Sequence, residues 1–150
     1  MPNWCEGTLK VRGEKEDIVR FLKEGIEPIG YLNDTEPVVI DEEEYCIVLK
    51  TKKGGFYIKG THRSFIEQCE IEYYYDNGIL ALEFKQAWGI DAVVLANISK
   101  EFNVDFKIYA YERGMEFNQD IEIHKGDIIK NQEIQFSDYA WECTNPNIGG

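Results

Sequence analysis

Glu70-Ile71-Glu72-Tyr73-Tyr74-Tyr75-Asp76-Asn77-Gly78-Ile79-Leu80-Ala81-Leu82-Glu83-Phe84-Lys85-Gln86 is the stretch on which the fold reading turns. Two alternating runs, Glu70–Tyr75 and Ile79–Gln86, flank Asp76-Asn77-Gly78. Asn-Gly between alternating hydrophobics is the strongest short hairpin signal, so the stretch predicts two paired antiparallel strands. Tyr73 and Tyr75 then share one face and Tyr74 takes the other.

Working outward, Asp91 is placed to cap a helix with Val94, Leu95, Ile98 and Phe102 on its core face. Asn103 is able to close that helix in the left-handed conformation. Val104, Phe106, Ile108 and Ala110 then alternate with Asp105, Lys107, Tyr109 and Tyr111 as a strand. Upstream, Cys5–Arg12 reads as the first strand. A helix over Glu14–Glu24 follows, with Ile18, Val19, Phe21 and Leu22 on one face and Gly25 as its stop. Tyr45–Thr51 reads as a strand covered on both faces, and Phe56–Lys59 as a short one after the turn Lys52–Gly55. Thr61–Gln68 is expected to form one or two helical turns, because Ser64-x-x-Glu67 has capping-box spacing. Glu116–His124 and Asp127–Gln135 make a last hairpin around Lys125-Gly126.

Residues 27–44 hold Pro28, Gly30, Asn33, Asp34 and Pro37 and the acidic run Asp41–Glu44. They read as a long acidic loop with at most a short strand at Val38–Ile40. Residues 144–150 are expected to fray as a flexible tail. The expectation is one domain over 1–150: an α+β, ferredoxin-like fold. Its mainly antiparallel sheet would carry two main helices on one face, plus an extra C-terminal hairpin.

Composition sets limits on function. The 150 residues are 43% apolar and 13% aromatic, enough for one packed core and unlike a disordered chain. A net charge of −12 repels nucleic acid and anionic lipid over most of the surface, which favours a protein partner. With no apolar run long enough to span a bilayer and no signal-like N-terminus, a cytoplasmic protein without membrane contact is expected. Cys5, Cys46, Cys69 and Cys143 lack metal-ligand spacing and read as reduced thiols, so neither metal nor cofactor is expected.

Met1-Pro2-Asn3-Trp4-Cys5, then Leu9-Lys10-Val11 and Gly13 before a helix, resembles the opening of the YubB-like family of plasmid and phage proteins. Leu82-Glu83-Phe84, Ala87-Trp88, Phe102, the Phe106–Tyr111 strand and Glu112-x-Gly114-x-x-Phe117 extend the resemblance. Residues 27–50 carry little of it, and Gly89-Ile90-Asp91 stands where prolines are expected. The resemblance implies a ferredoxin-like domain in a phage- or plasmid-type element and supplies no catalytic residue.

Lys50–Ser64 is the most unusual segment. It holds five cationic side chains and His62, and no acid. Gly54, Gly55 and Gly60 are interleaved with Phe56 and Tyr57. Backbone amides beside glycines, cationic heads and a stackable ring suit an anion or a single strand. The candidate ligand-binding residues are Lys52, Lys53, Lys59, His62 and Arg63. The alternative is a hairpin tip of solvated lysines. His62-Arg63-Ser64 also matches half of the H-x-[ST] pair of two-histidine phosphoesterases, but His124 is followed by Lys125-Gly126 and completes no second half. Core packing is the default expectation for all three tryptophans, with Trp4 covering the core edge near the first strand and Trp88 plugging the layer gap at a strand-to-helix junction. For Trp141 the alternative is a protein contact. The leading expectation is a non-catalytic binding or interaction module. The alternatives are an anion or nucleic-acid binder through 50–64 and a small phosphoesterase centred on His62.

Overall fold

The computed structural model describes residues 1–30 and 37–150. β1 (Trp4–Arg12) leads into α1 (Lys15–Arg20), which continues as one π-helical turn over Phe21–Gly25. Short strands follow: β2 (Ile26–Pro28), β3 (Val39–Glu42), β4 (Cys46–Lys50), β5 (Phe56–Ile58), β6 (Ser64–Ile66) and β7 (Glu70–Tyr74). The long strand β8 (Ile79–Ala87) precedes α2 (Ala92–Phe102), β9 (Asp105–Glu112), β10 (Phe117–His124), β11 (Asp127–Gln135) and α3 (Tyr139–Glu142).

Eight strands form one sheet in the order β11-β10-β9-β1-β8-β6-β5-β2, and β3-β4-β7 form a second, smaller sheet. Every recorded neighbour pair is antiparallel. Among the described residues strands take 46% and helix 18%, in three short helices. The expected α+β, ferredoxin-like fold with two main helices is therefore corrected to a sheet-dominated architecture. The physical reason lies in segments 26–28, 39–42 and 64–66. Expected as loop, as loop with at most a short strand at Val38–Ile40, and as helix, they pair as strands: 26–28 and 64–66 widen the main sheet and 39–42 helps build a second. Thr61–Gln68 forms no helical turn: Ser64 pairs with Gln86 and Phe65 with Lys85.

The opening hairpin is corrected too. β7 pairs with β4, whereas β8 lies between β1 and β6 in the other sheet. A two-residue type I′ turn needs positive φ at both central residues. Neither Asn77 nor Gly78 has it. Lys125 (φ 43°) and Gly126 (φ 96°) both do, and β10 and β11 form the expected hairpin there.

One face of the main sheet carries the core. Leu9, Leu82, Phe84, Phe106, Ile108 and Ile121 are buried, with Ile18, Phe21, Leu22, Leu95, Ile98 and Phe102 in the same cluster. Phe21 meets Phe102 and Phe106 edge to face at 5.6 Å each, a geometry favoured by the ring quadrupoles. Val94 is partly buried against this cluster. Asp91 caps α2 by accepting from Val93 N (3.1 Å) and Val94 N (3.3 Å), and left-handed Asn103 (φ 56°) ends it. Ile47, Leu49, Ile71 and Tyr73 bring the small sheet into the same core.

The opposite face of the main sheet is mostly polar. At one end it is covered by α3, where Tyr139 Oη donates to Asn118 Oδ1 (3.0 Å) and Asn118 Nδ2 to Tyr109 Oη (3.1 Å). The final residues, expected to fray, run back to the start of β1, where Gly150 N donates to Trp4 O (2.8 Å). Of the expected acidic loop 27–44, residues 27 and 28 belong to β2 and 39–42 to β3, while 31–36 lie outside the described residues.

Candidate functional site: an aromatic groove with a free arginine

The polar face of the main sheet carries a cross-strand row. Glu6 lies opposite Lys85, Lys85 opposite Phe65, Phe65 opposite Tyr57, and Tyr57 opposite Glu27. Residues directly opposite on one face have Cβ atoms about 5 Å apart, so this register forces five side chains from five strands together. Trp4 sits diagonally from Lys85, and its ring meets Phe65 edge to face at 5.9 Å and 67°. Phe65 and Tyr57 rings follow at 5.8 Å.

Above this row opens a groove of about 480 Å³. Trp4, Phe65, Pro2 and Ile29 give it an apolar wall. Gly54, Gly55, Arg63, Glu67 and Lys85 complete the lining. The β5–β6 register sets Gly54, Gly55 and Glu67 toward one end of that hairpin and Arg63 at the other. Gly55 is required where it stands, since a Cβ there would lie 1.9 Å from Ile66 O.

The charges are arranged unequally. Lys85 Nζ lies 2.6 Å from Glu67 Oε1 and 4.6 Å from the Trp4 ring centroid, so its charge is already engaged on two sides. Burial, and next the nearby Glu67 carboxylate, raise the Glu6 carboxyl above its ordinary range; Lys85 and Arg113 oppose the rise. Arg63 is exposed, lines the groove, and has no ion pair or side-chain hydrogen bond among the described residues. Its backbone is left-handed (φ 52°), and its carbonyl accepts from Ala87 N (3.2 Å). Such a conformation in a residue with a Cβ stores strain and concentrates at functional positions.

Of the five residues singled out in Lys50–Ser64, only Arg63 lines this groove. β5 and β6 pair antiparallel, Phe56 opposite Ile66. Lys52 and Lys53 therefore precede the hairpin at one end, and Lys59, His62 and Arg63 occupy its tip at the other. The glycines beside Lys53 do reach the groove. His62 is exposed and its carbonyl accepts from Gln86 Nε2 (3.2 Å). Gln86 lies opposite Cys5, at the start of β1, whereas His124 pairs with Asp105, itself opposite Arg12 at its end. Seven residues of strand separate those positions, about 24 Å. The two imidazoles face no common substrate.

Trp4, Phe65, Glu67, Lys85 and Glu6 had no signal in motif spacing, because register alone assembles them. Trp141 is 86% exposed on α3. Trp88, expected to plug a layer gap, is instead 60% exposed and left-handed (φ 69°), its N–H held by Asn3 O (2.8 Å).

No protein-family model matches the chain, and neither a curated protein nor a solved structure does. The phage or plasmid setting implied by the YubB-like resemblance gains no support from these comparisons, and with the ferredoxin-like fold corrected it is set aside. Among the described residues no helix is long and apolar enough to cross a membrane, and no cluster of His, Cys, Asp or Glu is placed to hold a metal ion.

Proposed function

We propose that the protein is a non-catalytic binding module whose ligand lies in the groove between Trp4, Phe65 and Arg63 and presents an anionic group to Arg63. The observation that carries this reading is the Arg63 guanidinium, unpaired among the described residues, at the rim of a half-buried aromatic wall. A concave, mostly apolar site with a few convergent polar groups is the ordinary form of a small-ligand pocket, and about 480 Å³ falls in its usual size range. Segment 50–64 takes part through Arg63, Gly54 and Gly55, in place of a cluster of all its cations. With His62 and His124 at opposite ends of the sheet, the phosphoesterase reading loses its acid–base pair.

The test is a titration of isotope-labelled protein with inorganic phosphate, an aromatic carboxylate and a short single-stranded oligonucleotide, followed by amide and indole NMR shifts. Shifts at Trp4, Arg63, Phe65 and Lys85 in at least one arm support the groove. No shift there in any arm sinks the reading. A protein-contact role of Trp141 is a second reading, carried by its 86% exposure. Loss of a partner's binding on Trp141→Ala, with Arg63→Gln unaffected, would favour it over the groove.

A further inference from the structure

Resting on the groove reading above, we infer that the ligand is a small aromatic monocarboxylate, its ring against Trp4 and Phe65 and its carboxylate on the Arg63 guanidinium. Charge counting along the site is the first argument. Among the described residues that line the groove, Arg63 is the cation without an anionic partner, whereas Lys85 is engaged by Glu67 at 2.6 Å. Glu6 stands directly across the strand from Lys85 and adds a second carboxylate to that side. The groove thus has an opening for one negative charge. A phosphate dianion or a nucleic-acid chain brings further charges to Glu6 and Glu67, on a protein of net charge −12.

Shape is the second argument. A guanidinium is planar and forked, and its two parallel N–H groups match the two oxygens of a carboxylate. Trp4, Phe65, Pro2 and Ile29 supply apolar and aromatic surface for the body of the ligand. The rings of Trp4 and Phe65 stand edge to face, so one of them can offer its face to a third ring. Length is the third. The Gly54-Gly55 turn and Arg63 line the groove from the two ends of the β5–β6 hairpin. Its paired strands are three residues long, about 10 Å, room for a ring, a short linker and a carboxylate.

The experiment uses the full chain and isothermal titration with indole-3-acetate, its neutral isostere indole-3-acetamide, inorganic phosphate, and a short peptide ending in Trp with a free carboxylate. Far-ultraviolet circular dichroism checks that the Arg63→Gln variant is folded. The expected result is binding of the acid, with the amide at least about tenfold weaker and Arg63→Gln reducing the acid to the level of the amide. Equal binding of acid and amide, or acid binding unchanged by Arg63→Gln, overturns the inference. Phosphate binding tighter than the acid, and dependent on Arg63, overturns the ligand class but leaves the anion-binding module standing. The peptide binding tighter than the free acid overturns the small-molecule source in favour of a chain terminus. Silence in all four arms removes the inference. Removal of the module reading with it requires the oligonucleotide arm above to be silent as well.

Discussion

The Lys85 ammonium stands over Trp4, 4.6 Å from the centroid of its ring. A cation so placed would be expected to recruit an anion, but Glu67 holds it at 2.6 Å and divides the groove into a neutralised side and an open one. Glu67→Gln should release Lys85 from its direct ion pair and leave only Glu6, across the strand, to oppose its charge. Affinity for inorganic phosphate should rise several-fold, because two cations within one small site suit a dianion. Stability should change by less than about 1 kcal/mol, since both partners are partly exposed and such pairs contribute little. The Glu6 carboxyl should titrate lower in the variant, because the Glu67 charge helps to raise it. Calorimetry with phosphate and carboxyl-detected NMR titration check the two outcomes. An unchanged phosphate affinity would mean that Lys85 is already available to ligands.

Ser64 poses a different question. Its hydroxyl is fully buried and makes no hydrogen bond, on a strand whose neighbours Phe56, Ile58 and Ile66 are buried too. A buried hydroxyl without a partner pays its desolvation with no return. Ser64→Ala removes that group with little change in volume and should stabilise the fold by about 1 kcal/mol, or roughly 2–4 °C in Tm for a chain of this size. Differential scanning calorimetry reads the shift. A fall in Tm of similar size would show that the hydroxyl is satisfied in solution.

Strand alternation was readable, and strand partnership was readable at the last hairpin but not at Asp76-Asn77-Gly78. Ile71 and Tyr73 of β7 and Leu80, Leu82 and Phe84 of β8 point inward with the expected period of two. Yet the two strands lie in different sheets, because pairing depends on distant β4, β1 and β6. Asp76-Asn77-Gly78 carries the hairpin composition without the positive φ values, which only the backbone reveals. Lys125-Gly126 succeeded where Asn77-Gly78 misled, since an adjacent pair of strands can close on local geometry alone. The helix signals were local too: Asp91, Leu95, Ile98, Phe102 and Asn103 all serve as the sequence implied. The groove was half legible. Gly54, Gly55 and Arg63 stood out as an acid-free, glycine-rich basic segment. Trp4, Phe65 and Lys85 come from three strands, and no spacing within 150 residues announces that register.

The cap of α2 offers a test of how much that helix depends on one side chain. Asp91 accepts from two otherwise unpaired amides at the helix start. Asp91→Ala should destabilise the protein by about 1 kcal/mol, while Asp91→Asn, which keeps an acceptor oxygen, should cost only a fraction of that. Urea denaturation with unchanged m-values would assign the difference to the cap. Equal losses in the two variants would instead point to the carboxylate charge at the positive helix end.

Alkaline pH should expose the cost of two buried acids. Burial, followed by Glu112 and Glu6, pushes the Cys5 thiol up to about 12, against 9.0 for a free one. Burial first, then its hydrogen bond with Cys143, also raises the Tyr139 phenol above its ordinary value. Both groups are neutral when protonated, so the folded state retains protons that the unfolded chain gives up. Above pH 9 the unfolded state binds fewer protons, and unfolding free energy must fall as pH rises. Below pH 9 neither group contributes a slope. Each group contributes up to about 1.4 kcal/mol per pH unit while its unfolded form is ionised and its folded form is not. Urea midpoints at pH 7, 9, 10 and 11 should therefore be flat to pH 9 and then decline. Cys5→Ala removes one titrating group and should shallow that decline, even if the substitution lowers stability at pH 7. A variant whose alkaline slope matches the parent's would show that the thiol ionises as readily in the fold as outside it.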